Sequence, residues 1–291
     1  MLLLRKFLAT LFQNIAFAML FAMRWKRNTV IANQSHVGIS DEKLYPRMLH
    51  NLAYHASEML FRFGTYKKLP ADTELYPYRI DGWIFDIEKE SVPVIKKMRH
   101  GGIFLTAHYG NYEASGAWLC SLGVPLKASY IPLRPAWLNR IIERKIRCVN
   151  NRPYSVNAHS PRDFLNVIDQ KELFCLLADQ DSRIPSAGDG TLLGKKAKFN
   201  PLPDFLLRHR PETPSFFCWI EESERHAQKI LHAIEVEISS IQGGTGLVDG
   251  PYHQWLEERI KENPYLWYGW THRRFYCTTP HIYDFSSPRT K

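Results

Sequence analysis

The sequence predicts an α/β protein with a mostly parallel central sheet flanked by helices, preceded by an apolar amino-terminal helix. Three observations carry this. The apolar runs Gly102-Ile103-Phe104-Leu105-Thr106-Ala107 and Leu173-Phe174-Cys175-Leu176-Leu177-Ala178 have the length and unbroken hydrophobicity of strands buried on both faces. Segments with helical spacing alternate with such runs through the middle of the chain, the pattern of β-α units. Near the amino terminus, Phe7 to Met23 holds no charge and lies between Arg5-Lys6 and Arg24-Trp25-Lys26-Arg27.

As a helix, that amino-terminal stretch reaches about 25 Å, a little short of a roughly 30 Å hydrocarbon layer. Gln13 and Asn14 near its middle count against a clean span, and the basic residues that follow leave no small-residue cleavage site. A short anchor or an interfacial helix fits best. Residues 1–27 are therefore read as a membrane anchor and 28–291 as one domain, since no linker divides the chain after residue 70.

Glu42 to Gly64 carries Leu49, Leu52, Ala53, Ala56, Met59, Leu60 and Phe63 on one helical stripe. His55 and Glu58 share a face of it and are read as structural or surface residues. Pro70 to Trp83 is expected to be irregular, and Glu90 to Met98 a short helix. After the strand that ends at Ala107, Glu113 to Leu119 resumes helical spacing. Val124 to Ile131 is expected as a strand, Ala136 to Val149 as a basic helix, and Tyr154 to Asn157 as a short strand. Ser160-Pro161 opens a further helix with a capping residue and a proline at its first position. Beyond the strand at Leu173 to Ala178, a loop holds Gly188, Gly190 and Gly194, followed by a helix at Leu202 to His209. Ser215 to Ile220 and Ile230 to Ile238 read as neighbouring strands joined through a charged turn, Glu221 to Gln228. Gly246 to Asn263 is a helix, and an aromatic, basic tail closes the chain.

The formal net charge of +9 favours anionic partners: acidic lipid headgroups, acidic carrier proteins or nucleic acid. Nucleic acid is the weakest of these, because no zinc-finger spacing, RNA-recognition signature or basic helix with heptads appears. Cys120, Cys148, Cys175, Cys218 and Cys277 are odd in number and widely spread, with no Cys-x-x-Cys pair. They read as buried thiols in a reducing compartment, without a disulfide frame or a metal site. No phosphate loop or dinucleotide fingerprint occurs, so no cofactor is expected. The absence of a Gly-x-Ser-x-Gly elbow argues against a serine hydrolase.

The most informative stretch is His108-Tyr109-Gly110-Asn111-Tyr112-Glu113. Tyr-Gly-Asn is turn chemistry, so an imidazole sits at the carboxyl end of a strand and a carboxylate in the first turn of the next helix. Open α/β sheets place ligand chemistry there. A carboxylate at that position can hold the imidazole in one tautomer and stabilise the imidazolium formed when it takes a proton. With no serine or cysteine beside the pair, the base would activate a hydroxyl carried by the substrate.

These residues, with others in order, resemble the bacterial lipid A late acyltransferases, the lauroyl/myristoyl acyltransferases of lipopolysaccharide assembly. That family belongs to the superfamily marked by His, four residues, then Asp or Glu. The likeness rests on the apolar amino-terminal helix, His108 to Glu113, Tyr130-Ile131-Pro132-Leu133-Arg134 ahead of a basic helix, and Leu177-Ala178-Asp179-Gln180 at a strand end. It rests also on the tail Asn263-Pro264-Tyr265-Leu266-Trp267 followed by Trp270-Thr271-His272-Arg273-Arg274-Phe275. The chain departs from the family at Ile131, where an arginine is frequent, at Thr191 to Gly194, and at an inserted Tyr268-Gly269.

The resemblance implies a glycerolipid acyltransferase-like fold and transfer of a fatty acyl group from an acyl carrier protein thioester to a lipid A precursor. The reaction needs no cofactor and forms no acyl-enzyme. His108 would be the general base and Glu113 its orienting carboxylate. Arg147 or Arg144, or backbone amides of the Tyr109, Gly110 and Asn111 turn, would steady the oxyanion. Asp179, Gln180 and Arg134 would shape the acceptor side, while His272, Arg273 and Arg274 would bind phosphate or brace the site. The implied location is the cytoplasmic face of the bacterial inner membrane. Two other readings stay open: the same transfer to another glycolipid such as a phosphatidylinositol mannoside, and a non-enzymatic protein that binds anionic membrane through its basic face.

Overall fold

A computed structural model describes residues 2–130, 134–150, 152–156, 161–223, 227–237 and 246–285. Helices α1 (Leu2–Ala22), α2 (Arg27–His36) and α3 (Leu44–Phe61) come first, then strands β1 (Tyr78–Ile80) and β2 (Trp83–Ile87). They are followed by α4 (Ser91–Met98), β3 (Gly102–Thr106), α5 (Tyr112–Ser121), β4 (Leu126–Ser129) and α6 (Ala136–Ile141), which runs into a π-helical turn at Ile142–Ile146. Next are β5 (Cys148–Val149), β6 (Arg152–Pro153), β7 (Ser155–Val156), α7 (Pro161–Asp169), β8 (Leu173–Leu177), β9 (Gly188–Leu192) and β10 (Lys195–Phe199). The chain closes with α8 (Leu202–His209), β11 (Ser215–Glu222), β12 (Gln228–Val236) and α9 (His253–Glu262), entered through a π-helical turn at Val248–Tyr252.

Eight strands form the central sheet in the order β1-β2-β12-β11-β3-β8-β4-β7. Only the β1/β2 and β11/β12 pairs are antiparallel; the other neighbours run parallel. Helices cover both faces, so consecutive strand residues alternate between two cores. Ile103, Leu105, Phe174, Leu176 and Phe217 pack with α3 and α9 on one side. Phe104, Leu173, Cys175, Phe216 and Cys218 pack with α4 and α5 on the other. That two-sided burial is why β3 and β8 are unbroken apolar runs.

Several elements differ from the sequence expectation. The segment expected to be irregular ends in the β1–β2 hairpin, turned by Asp81 (φ 53°) and Gly82 (φ 80°); Asp-Gly is a strong short-turn signal. The glycine-bearing loop is the β9–β10 hairpin, turned by Leu193-Gly194. Its strands, Gly-Asp-Gly-Thr-Leu and Lys-Lys-Ala-Lys-Phe, hold one β-branched residue, Thr191, too little to announce a strand. The basic helix expected over Ala136 to Val149 is α-helical to Ile141 and ends with the π-helical turn at Ile146, and the helix expected from Gly246 becomes regular only at His253. Among the cysteines Cys175 and Cys218 are buried, whereas Cys277 is exposed. Ile131, Asn157, the capping residue Ser160 and Ile238 lie outside the described residues.

Candidate active site

Strand order builds the site. β3 and β8 are parallel neighbours with Thr106 in register with Leu177, so His108 and Asp179, each two residues further on, emerge side by side at the carboxyl ends. His108 Nδ1 lies 2.8 Å from Asp179 Oδ1, and the His108 backbone N–H donates to Asp179 Oδ2 at 3.1 Å. Trp267 Nε1 donates to the same Oδ2 at 2.9 Å. Asp179 has no exposed surface, so both carboxylate oxygens are held by fixed donors.

Burial lowers the His108 pKa, but the Asp179 charge and hydrogen bond outweigh it, with Glu113 adding a weaker pull, so the imidazole titrates above the ordinary histidine value. Burial raises the Asp179 carboxyl, yet His108, Trp267 and the His108 amide together hold it below the ordinary carboxylate value. With the Nδ1 proton directed at Asp179, Nε2 carries the lone pair. Gln180 Nε2 donates to it at 3.3 Å, and a fifth of the His108 side chain is exposed. The rings of Tyr112 and His272 flank the imidazole, with centroids at 5.1 and 5.6 Å.

The carboxylate that orients His108 is therefore Asp179, and the orienting role expected of Glu113 is corrected. Glu113 instead takes two hydrogen bonds from Arg147, Nη2 to Oε1 at 2.5 Å and Nε to Oε2 at 3.3 Å. Glu113 acts on His108 through its charge alone. Arg147 also lies over the Tyr130 ring at 5.1 Å. The expected oxyanion donor thus has two of its donor nitrogens committed to an ion pair. Arg144 is exposed on the π-helical turn, and Arg134 is exposed ahead of α6; nothing among the described residues brings either to His108.

The turn is clamped from the tail. Tyr268 N–H donates to the His108 carbonyl (2.7 Å), Gly110 N–H to the Leu266 carbonyl (2.8 Å), and Tyr109 bridges Trp267 as a short antiparallel pair. The amides of Tyr109 and Gly110 are thereby used within the protein, Tyr109 N–H bonding the Ala107 carbonyl at 2.7 Å, which removes them as oxyanion donors. Gly110 sits at φ 55°, a conformation that side chains disfavour. Tyr268-Gly269, read from the sequence as an insertion in the tail motif, has a packing role. Tyr268 Oη reaches His55 Nδ1 at 2.6 Å, and a Cβ on Gly269 would run into the Trp267 ring.

Behind the turn lies a buried ionic network that the sequence reading reaches only in part. Lys229 Nζ contacts Glu58 Oε1 at 2.9 Å and also Glu222, and His55 Nε2 lies 2.9 Å from Glu222 Oε2. Asn111 Nδ2 donates to Glu58 Oε2 at 2.5 Å and to Tyr66 Oη at 3.2 Å. His55 and Glu58 are thus structural and buried, and Asn111, expected to bind substrate, faces Glu58 instead. Tyr109 likewise points inward, its hydroxyl donating to the Arg259 carbonyl at 3.1 Å. Arg274 has no exposed surface and donates to the Lys198 carbonyl at 3.1 Å, a brace and not a surface phosphate ligand. His272 and Arg273 remain exposed.

Two cavities adjoin the turn. One of about 40 Å³ lies between α5 and the ends of β3, β4 and β8, lined by Phe104, Leu126, Cys175 and Leu177 with Glu113 and Arg147. A cleft of about 970 Å³ is lined by Arg47, His50, Tyr109, Trp219, Arg259 and Leu266, without His108. Ligand pockets run roughly 300–1,000 Å³, so the first cannot take an acyl chain as it stands. Among the described residues, no group of three or more metal-ligating side chains gathers.

His108, Asp179, Gln180 and His272 are brought together; Arg134 and Arg144 are not. Trp267, Lys229 and Glu222 stand outside the set expected from sequence. Trp267 had a signal, being an indole in the tail motif, whereas Lys229 shares the buried face of its strand with Leu231 and Ala233, where a lysine gives no sign of its role. No protein-family model matches the chain, and no curated protein matches it.

Proposed function

We propose that this chain is a membrane-associated acyltransferase that moves a fatty acyl group from an acyl carrier protein thioester to a hydroxyl of a lipid A precursor. The observation that carries the reading is His108 held by Asp179 at 2.8 Å with Nε2 directed away from that contact. Nε2 removes the acceptor's proton as the hydroxyl oxygen attacks the thioester carbonyl. The tetrahedral oxyanion collapses, the carbon–sulfur bond breaks, and the imidazolium returns its proton to the departing carrier thiolate. Asp179 stabilises the imidazolium between these steps. The backbone N–H groups of Tyr112 and Glu113, which open α5 and have no partner among the described residues, replace the Tyr109 and Gly110 amides as oxyanion donors. The net charge of +9 suits an acidic carrier and a phosphorylated glycolipid at the cytoplasmic face of a bacterial inner membrane.

The test is turnover by purified His108→Ala and Asp179→Asn with acyl carrier protein thioester and glycolipid acceptor, followed by mass spectrometry. Loss of about 10²–10⁴-fold in each is expected. Turnover within tenfold of wild type in both would remove the base. Acylation of a phosphatidylinositol mannoside in place of the lipid A precursor would redirect the acceptor.

A further inference from the structure

Helix α1 is long and apolar enough to cross a membrane by composition, with mean hydropathy 1.3 over Leu3–Ala22. Its packing points elsewhere. α1 lies antiparallel along α3: Arg5 Nη2 donates to the Phe61 carbonyl at 2.7 Å, Gln13 Nε2 meets His50 Nε2 at 3.1 Å, and Phe21 lies 6.2 Å from the Tyr45 ring. Contacts thus extend from the first turn to the last. α3 is fixed in the domain, with Leu44, Met48 and Leu49 fully buried and Glu58 bonded to Lys229. Standing α1 across a bilayer would undock it or drag the charged α3 into hydrocarbon.

The outward face is the inverse of that of a soluble surface helix. Leu4, Leu8, Leu11, Ile15 and Met19 form one stripe, each between 38 and 60% exposed. No charged side chain lies between Lys6 and Arg24, and Gln13 is turned inward onto His50. Basic residues flank both ends, Arg5-Lys6 and Arg24 with Lys26-Arg27. A spanning helix would place one cluster on the outer side, against the preference of basic residues for the cytoplasmic side; a helix lying in the plane keeps both inside.

We infer that α1 lies flat, with its outward stripe immersed in the headgroup boundary of an anionic phospholipid leaflet and its ends on the same side. The inference stands independently of the acyl-transfer reading. A helix seated this way sinks about 5–10 Å, is held by apolar area and by lipid charge together, and binds less tightly as salt screens that charge. The 970 Å³ cleft includes His50, the residue that Gln13 contacts, so it opens beside the seam between α1 and α3.

The experiment places a nitroxide singly at Leu4, Leu8, Leu11, Ile15 or Met19 of the full chain, with Cys120, Cys148 and Cys277 changed to serine. Depth is read by collision with oxygen and a nickel chelate on vesicles of phosphatidylglycerol and phosphatidylcholine. The expected result is one shallow depth for all five sites, a label at Ala9 shielded from both reagents, and binding roughly tenfold weaker on phosphatidylcholine alone. A profile deepest at Leu11 and rising toward both ends would establish a span and overturn the inference. Labels that stay water-exposed on bound or unbound protein would overturn it equally. Leu11→Asp, an exposed change that spares the core, should release the chain from anionic vesicles.

Discussion

The two sides of the His108 turn carry ionic groups of opposite character. In front, Asp179 is buried but its partner is a histidine one fifth exposed, whose second nitrogen meets Gln180 alone among the described residues. Behind, Lys229, Glu58 and Glu222 are 0, 1 and 6% exposed, and their contacts run to one another and to the protein. A proton can enter and leave the first arrangement at small structural cost. In the second, any change of protonation strands a charge in a low-dielectric interior. The turn is thus fixed from behind so that one imidazole can titrate in front.

The sharpest way to break this contrast is Asp179→Asn. The amide keeps the shape but not the charge, so kcat falls about 10²–10⁴-fold while the fold persists. The pH–rate profile carries the sign. The proposed reaction needs neutral His108, and its raised pKa would set the acid limb above the ordinary histidine value. Removing the Asp179 charge leaves burial, which lowers the pKa, so the limb moves to lower pH. A limb that stays in place would show that Asp179 does not govern His108.

Lys229→Met should do the reverse: turnover per folded molecule is kept and stability is lost. Glu58 would lose its lysine and Glu222 would keep His55 at 2.9 Å, a cost of roughly 3–5 kcal/mol in urea unfolding. Adding Glu58→Gln and Glu222→Gln should recover most of it. Turnover falling in parallel with His108→Ala would mean that the rear network reaches the chemistry.

The mostly parallel sheet is legible in the sequence because strands buried on both faces must be apolar throughout. The His108 turn is legible for the same reason, since polar turn residues interrupt such a run sharply. The partner of His108 is not. Glu113 lies five residues away and Asp179 seventy-one, and only the adjacency of β3 and β8 makes the distant carboxylate the near one. Local spacing reports which groups share a strand-turn-helix unit; strand order decides which of them meet. The β9–β10 hairpin escapes because its lysines and glycines carry no hydrophobic period.

His253 sharpens the comparison from a third position, a buried titratable group with no hydrogen-bond partner among the described residues. It is 3% exposed, and Asp249 Oδ1 at 3.6 Å is too far to bond. Burial first, then the Arg274 charge, pushes its pKa down to about 3. The unfolded chain therefore binds more protons between pH 6.5 and 3, so stability falls as pH drops through that window, by on the order of a few kcal/mol. His253→Leu should flatten that part of the curve of Tm against pH. An unchanged slope would assign the acid lability to other groups.

The smallest effect belongs to Glu113→Gln, and it separates charge from contact. Glu113 makes no hydrogen bond to His108 and enters its titration only through space, more weakly than the charge and hydrogen bond of Asp179. The acid limb should move down by less than Asp179→Asn moves it, and kcat should change by only about threefold to tenfold, the scale of a partly screened charge. The substitution also unpairs Arg147, whose Nη2 loses its carboxylate at 2.5 Å. If the freed guanidinium swings to the oxyanion, the rate would hold or rise while the limb still shifts. A loss equal to that of Asp179→Asn would instead return Glu113 to the role of orienting partner and leave Asp179 as a brace for Trp267.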